Sequence, residues 1–427
     1  VKVFCDEVTH QPPKLWLCNA DSDLRWITRG DLPLSLKLAI EEMPWHFLFA
    51  AGSQDTMIFP KPWPQAWTQY LEELGLAPPH GLTLPANTKA GHPQGMERGL
   101  TGRERGWVFE PFAWNREAIS FQQALGPFLE PRELPPDGAA VKRANARQFS
   151  LEIEQASPPS ESGWDATQAQ WVTGREDLAG LLAAKSWSEA LFKSEYGQSG
   201  LTNRKWEAGN PLSLLQARKL LQRAKSGVVE PWHRLRREYG WLYDLDARGS
   251  ISHTRGHRLI TDGQGHYLGT AIGPGQSLPE PIQAGFSKMT NRVASALRLL
   301  GYFGPVGQDG YEFESEAQIH FRPLSDLNAR HTMAEAAHGL AARIPDRHIA
   351  VLLFSARFHG IPADHRLRNE LLSGYPFHPG SREGALWLTP AMDAGGQPAQ
   401  RHSLLLSSAS ESGLADMEET IRSRCRS

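Results

Sequence analysis

Apolar and polar positions change their period several times along the chain, and the changes divide it. Leu15 to Cys18 is an apolar run followed by the polar Asn19 to Asp23, which reads as a buried strand with a loop at its carboxyl end. Leu34, Leu36, Leu38, Ile40 and Met43 follow in a pattern dense enough for a helix. FLFAAGSQDTMIF, residues 47–59, predicts a strand and, after Asp55, a further short apolar run. Pro60 and Pro64 interrupt the pattern, and AWTQYLEELGL reads as a helix closed by Gly75. Strand, helix, strand, helix predicts a small parallel α/β unit. Residues 78–110 are rich in Gly, Pro and Thr, show no period and predict a long connection. AWNREAISFQQALG is a helix with Asn115 as its N-cap and Gly126 as its stop, and EPRELPPDG, residues 130–138, predicts a linker and a domain boundary.

Beyond that linker, VKRANARQFSLEIEQ predicts one helix. QWVTGREDLAGLLAAK starts as a strand and becomes a helix capped by Thr173, with Glu176 completing a capping box. SEALFKSEYGQSG holds a short strand carrying Lys193, then a loop with Gly197, Ser199 and Gly200. LSLLQARKLLQRAKSG is an amphipathic helix closed by Gly227, and VVEPW is a short strand. GWLYDLDARG and HRLITDGQGHYLGT are strand candidates, with DGQG marking a hairpin. SKMTNRVASALRLLGYFG is a long helix ending at Gly301. After it come the stretch GYFGPVGQDGYEFESEAQIHFRPLSDLNARHTM, a helix to about Ala342, the strand IAVLLF from Ile349, and a polar tail with GALWLTP as its last strand.

A length of 427 residues exceeds what one hydrophobic core organises, so two or three domains are expected. A net charge of −2 argues against a nucleic-acid partner, because no basic excess exists to displace counterions. The 3 cysteines are odd in number and fit no metal spacing, which points away from a disulfide framework and towards a reducing, cytoplasmic compartment. VKVFCDEVTH lacks a basic segment followed by an apolar one, so no signal peptide is expected, and runs such as IAVLLF are too short to span a membrane. The 16 histidines contain no HExxH, against a zinc hydrolase. Of the 14 tryptophans only Trp387 lies beyond residue 250, a distribution that signals packing more than a sugar platform.

The chemistry concentrates in SDLNAR. Asp326, Asn328 and Arg330 are spaced to share one face of a strand, with Leu327 and Ala329 turned to a core. A carboxylate and an amide oxygen are hard donors of the kind Mg²⁺ takes, and a guanidinium fork suits phosphate. Asp309 could add a second carboxylate from a neighbouring strand. Lys193, leaving a strand beside a small-residue loop, can hold phosphate oxygens by charge and backbone N–H groups, although no GK[ST] follows and the loop is not a P-loop. A solvated strand face and an ordinary turn are the alternative readings of these two stretches.

Taken in order, LFKSEYGQSG, VVEPW, the strands ending DGQGHYLG, GYFGPVGQDG and DLNARHTM resemble an ATP-grasp protein over residues 139–335. The segment before them is similar to the α/β domain that often precedes the grasp. The resemblance implies a mixed α/β and α+β chain. Its N-terminal α/β domain would span 1–130, a small lobe 131–227, and a large lobe with a C-terminal extension 228–427, with ATP between antiparallel sheets. It implies that Lys193 reaches the phosphates, that Gly197, Ser199 and Gly200 close over them, that Val229 and Glu230 form the hinge reading the adenine edge, and that Glu238 meets the ribose hydroxyls. Asp309, Asp326 and Asn328 match ligands of Mg²⁺, with Mn²⁺ as a substitute, and Arg330 matches the catalytic cation on the transferring phosphoryl group. Arg147 stands where the family commonly has a nucleotide-contacting lysine, Asp326 replaces a glutamate, and Ala329 a frequent proline. The implied reaction is attack of a carboxylate on the γ-phosphate and capture of the acyl phosphate by an amine. The implied partners are small-molecule carboxylate and amine substrates, with neither nucleic acid nor membrane, and a homodimer is in keeping. A non-catalytic nucleotide- or partner-binding module and a small-molecule kinase stay open on the same fold. Asn19 and Asp21 read either as cleft residues or, more simply, as turn residues.

Overall fold

The structure, a computed structural model, describes residues 12–27, 34–84, 106–130, 135–157, 168–197, 200, 202–262, 265–315 and 318–425. Its first layer is a parallel sheet of β1 (Lys14–Leu17), β2 (Thr56–Phe59), β3 (His80–Thr83) and β4 (Val108–Pro111), in the order β3-β2-β1-β4. The parallel α/β unit is as predicted, but two of its parts differ. The strand expected within FLFAAG is instead the end of a helix, Met43–Phe47, and a 3₁₀ turn, Leu48–Ala50. Pro44 in the first turn presets helical φ, and a run buried on all sides carries no period to separate helix from strand. The expected 78–110 connection contains both β3 and β4, each only 4 residues long.

A second, antiparallel sheet contains β5 (Gln170–Val172), β6 (Glu189–Ser194), β7 (Asn203–Glu207) and β8 (Gly227–Pro231), ordered β5-β8-β6-β7. Helices Arg175–Ala184 and Pro211–Ala224 pack their apolar stripes on it through Leu178, Ala217 and Leu221. The first helix is capped one residue later than predicted. Gly174 is the N-cap, and Asp177, not Glu176, reaches back to accept from the Thr173 N–H and hydroxyl at 3.3 and 2.7 Å. The second stops at Lys225, which has φ 70°, and not at Gly227. Gly227 opens β8, where a Cβ would lie 2.3 Å from the Lys193 carbonyl oxygen, so this glycine serves close strand approach. Because β8 bonds β5 and β6, a boundary at 227/228 cuts through this strand. The crossing to the next sheet falls at Trp232 and His233.

The large sheet is antiparallel and holds β9 (Arg234–Leu245), β10 (Ile251–Thr261), β11 (Tyr267–Ile272), β12 (Gly304–Ser315), β13 (Gln318–Asn328), β14 (His348–Ser355), β15 (Gly384–Trp387) and β16 (Arg401–Ser408). Their order is β13-β12-β9-β10-β11-β14-β16-β15. Helix Glu280–Leu300 lays Phe286, Met289, Val293 and Leu297 against Tyr239, Tyr243, Val306 and Leu324, and ends on Gly301 in the left-handed conformation. The single helix expected over 141–155 is two, Gly138–Ala144 and Arg147–Gln155. Asn145 breaks it by giving its amide to Val141 O (2.9 Å) and Ala329 O (3.3 Å) and accepting from Ala329 N (3.0 Å). Both helices pack on the large sheet through Val141, Ala144, Phe149 and Ile153, although the sequence assigned them to the small lobe.

The tail after GALWLTP is not merely polar. It forms β16 and the helix Glu411–Arg424. Leu404, Leu405 and Leu406 of β16, with Leu414 and Ile421, enter the same core as Trp16, Trp45, Phe47 and Phe59. The N-terminal unit and the C-terminal extension are thus two sides of one apolar interior. Cys18 and Cys425 are buried free thiols, and no described helix is long and apolar enough to cross a membrane.

Candidate functional site

One row of paired residues crosses four strands of the large sheet. His257 on β10 pairs with Gly240 on β9, Gly240 with Asp309 on β12, and Asp309 with Asp326 on β13. Directly opposed residues of antiparallel strands share a face, so the register brings an imidazole and two carboxylates to one side of the sheet. Gly240 is needed here, since its Cβ would stand 2.1 Å from His257 Nε2. The row floors an open cleft of about 200 Å³ between the two antiparallel sheets. Lys193, Glu230, Trp232 and His233 line one side, and Asp23, Phe112, Thr332 and Met333 the other.

Asp309 is half-buried on the floor of the cleft. Burial, and then the nearby charge of Asp326, pushes its pKa up to about 7, and Asn328 Nδ2 donates to Oδ2 at 3.2 Å. It makes no ion pair with a described residue. Asp326 is the opposite case. Burial alone would raise it, but Arg147, helped by Lys193, holds it below the usual carboxylate range. Arg147 grips both its oxygens, Nε to Oδ1 at 2.9 Å and Nη2 to Oδ2 at 3.0 Å, while Nη1 donates to Ser194 O at 2.7 Å. Leu327 and Ala329 lie in the core as expected. Arg330 does not continue the face, because β13 ends at Asn328. Its Nε and Nη2 donate to Asp23 Oδ2 at 2.9 and 2.7 Å, and its guanidinium lies over the Phe112 ring. The expected phosphoryl-group cation is therefore tied to the N-terminal unit.

Lys193 Nζ pairs with Glu230 Oε1 at 2.8 Å and lies 3.4 Å from Ser325 O. The other Glu230 oxygen accepts from Arg322 Nη1 at 2.7 Å. Burial would raise this carboxylate, yet Arg322 and Lys193 hold it at about 2. Glu154 accepts from the remaining edge of Arg322. The Glu230 side chain is thus spent inside a buried network, and the Val229 side chain belongs to the small-sheet core. A hinge role for these two residues falls to their backbone. Glu238 lines the cleft, accepts from the Thr261 hydroxyl, and is raised by burial. Gly197 lies against Arg147, where a Cβ would be 2.8 Å from Nη1, and Gly200, at φ +73°, lies against Gly265 O. Ser199 lies outside the described residues. Asn19 is a connector, donating to Ala113 O at 2.8 Å and accepting from Ala113 N at 3.1 Å, and Asp21 pairs with Arg25 at 2.5 Å.

Sequence reasoning missed Asp23, Glu154, Arg322 and His257. Arg322 lies on Asp326's own strand at an even spacing, a usable signal, but an irregularity in the β12–β13 register sets it opposite Tyr311. The other three carry no local mark. A further buried cluster adjoins the cleft. His331 Nε2 meets Glu110 Oε1 at 3.0 Å and Nδ1 meets Glu335 Oε1 at 3.3 Å, while Arg255 grips Glu335 and Lys14 pairs with Glu110. Burial would lower His331, but the two glutamates raise it to about 9.

Among the described residues no group of three or more His, Cys, Asp or Glu is placed to hold a metal. Mg²⁺ does not require one, since it keeps several waters and takes one or two carboxylates plus substrate phosphates. Asp309, a carboxylate without a cation beside an amide, fits that ion.

No protein-family model matches the chain, and no curated protein matches it by sequence. Solved structures match it over nearly its whole length. N5-carboxyaminoimidazole synthetase of Staphylococcus aureus, complexed with ADP, aligns at TM-score 0.52 and 10% identity over 96% of this chain and 97% of that one. Biotin carboxylase of Campylobacter jejuni aligns at TM-score 0.54 and 10% identity over 97% and 94%. The biotin carboxylase domain of Hydrogenobacter thermophilus 2-oxoglutarate carboxylase, complexed with MgADP, ADP and bicarbonate, aligns at 0.52 and 11% over 96% and 90%.

Proposed function

We propose that this chain, which has the ATP-grasp fold preceded by an α/β domain, is an ATP-dependent ligase that activates a carboxylate as an acyl phosphate and passes the acyl group to an amine. One observation carries the reading. Asp309, Asp326 and Asn328 face the cleft from paired strands of one sheet, while Lys193, Gly197 and Gly200 line it on the side of the other. That arrangement supplies what phosphoryl transfer needs, which is positioning and charge neutralisation without a protein nucleophile. The nucleotides and bicarbonate bound by the structural relatives are in keeping with it.

In this reading the base lies against the backbone from Val229 to Trp232, the ribose near Glu238, and the phosphates between Lys193 and the two glycines Gly197 and Gly200. Mg²⁺, held by the carboxylate–amide set, would screen the phosphate charge. Gly197 and Gly200 have no room for a side chain, since a Cβ would meet Thr202 Oγ1 and Arg147 at the first and Gly265 O at the second; in this reading their backbone lies over the phosphates and shields the acyl phosphate from water. Arg330, steadied by Asp23, presents charge on the side where Phe112, Thr332 and Met333 leave space for the acceptor.

The test is ADP release measured with panels of carboxylates and amines. ADP should form only when both partners are present, and failure of saturating Mg-ATP to raise Tm would remove the nucleotide reading altogether. A second reading is favoured by the ion pairs, since Arg147, Lys193 and Arg330 each already bear a carboxylate. A non-catalytic nucleotide-binding protein on this fold would show the Tm rise with no ADP release from any pair. A small-molecule kinase would release ADP with a single acceptor and a stable phosphorylated product.

A further inference from the structure

We infer that Arg147 is a built-in cation occupying the coordination face of Asp326, so that the cleft takes a single divalent ion, on Asp309 and Asn328. The inference rests on the nucleotide reading above and deepens it.

Both oxygens of Asp326 are engaged by one guanidinium, at 2.9 and 3.0 Å, in the fork geometry that makes Arg–carboxylate pairs strong. That guanidinium is not free to swing away. Its third nitrogen is spent on Ser194 O at 2.7 Å, and its own backbone N–H is bonded to Glu195 O at 2.9 Å. Gly197 covers its outer side so closely that a Cβ there would stand 2.8 Å from Nη1. A metal on Asp326, whose side chain is 26% exposed, would have to share its oxygens with the two charge-assisted bonds of Arg147, a residue only 7% exposed, and would set two cations side by side.

Asp309, directly opposite in register, differs in every respect. Among the described residues it is in no ion pair and its polar side-chain partner is the Asn328 amide at 3.2 Å, and rotating that amide presents two hard oxygens to one ion. A lysine in place of Arg147 would give Asp326 a point charge and leave an oxygen open, whereas the planar fork closes both.

The experiment counts Mn²⁺ by loss of the free-ion EPR signal on the full chain at saturating ADP, after calorimetry with Mg-ADP has established nucleotide binding. We expect one Mn²⁺ per chain. Asp309→Asn should weaken it by about tenfold or more, and Asp326→Asn by much less. Arg147→Gln should expose Asp326 and add a second, weaker Mn²⁺. If Arg147→Gln does not fold, the contrast between the two aspartate variants still decides the matter. Two ions on the ADP-bound wild type, equal losses in the two aspartate variants, or a single ion on folded Arg147→Gln would each overturn the inference while leaving the nucleotide reading in place. No calorimetric binding of Mg-ADP would overturn both.

Discussion

Two buried ionic clusters flank residues 326–335, and they are built on opposite principles. In the one around His331, each carboxylate meets cations: Glu110 has Lys14 and His331, and Glu335 has His331 and Arg255. In the one around the cleft, Glu230, Glu154 and Asp326 are likewise matched by Lys193, Arg322 and Arg147, but Asp309 makes no ion pair with a described residue. A closed cluster joins elements, here β4 of the N-terminal unit to β10 and the helix Ala334–Arg343. An open one holds a charge that is costly until something binds. The presence of carboxylates without an ion-pair partner among the described residues, Asp309 foremost, more than the number of charges, separates the candidate site from the joint beside it.

The sharpest way to break that distinction is Asp309→Asn. It should reduce ADP formation by about 10³-fold, as removal of a transition-state charge partner does, and leave Tm unchanged or higher because a desolvated charge is lost. A large fall in Tm would place Asp309 with the structural ion pairs. Next in size, Glu110→Gln should destabilise the chain by about 3 kcal/mol through the exposed mismatch of a buried pair, read as a lower denaturation midpoint with ATP affinity kept. Third, Lys193→Ala should weaken nucleotide binding by about tenfold in calorimetry, roughly 1.4 kcal/mol, while Arg322 keeps Glu230 compensated. An unchanged affinity would remove Lys193 from the phosphate site. The smallest effect is in pH. His331 is raised to about 9 when folded, against about 6.5 unfolded. Its contribution is therefore full below about pH 6.5 and lost as pH rises through 9. Tm should decline across that window in the wild type and lose this component in His331→Gln; identical profiles would show that the cluster does not hold its proton.

What could be read from the sequence followed the range of the interactions involved. Asp326, Asn328, Leu327 and Ala329 sort onto two faces because a strand repeats every two residues, and Asn115 caps its helix within three residues, accepting from Ala118 N at 2.9 Å. Partner identities were not readable. Arg147 and Asp326 are 179 residues apart, and Arg330 and Asp23 are 307 apart, so no local pattern encodes either pair. The helix break at Asn145 has the same origin, since its amide is claimed by Ala329, 184 positions away. FLFAA and the LLL of β16 misled for a different reason. Buried on every side, they lack the polar half of the alternation from which a period is read.

The common interior of Trp16, Trp45, Phe47 and Phe59 with Leu386, Leu405, Leu414 and Ile421 sets an order of events during synthesis. The apolar faces made first are covered by residues translated more than three hundred positions later. Until those leave the ribosome, part of the early aromatic surface stays uncovered. Contacts of such sequence separation form slowly and leave a nascent chain exposed to aggregation. Chains halted before residue 349 should therefore be caught by chaperones or lost to inclusion bodies, however sound the cleft between their antiparallel sheets.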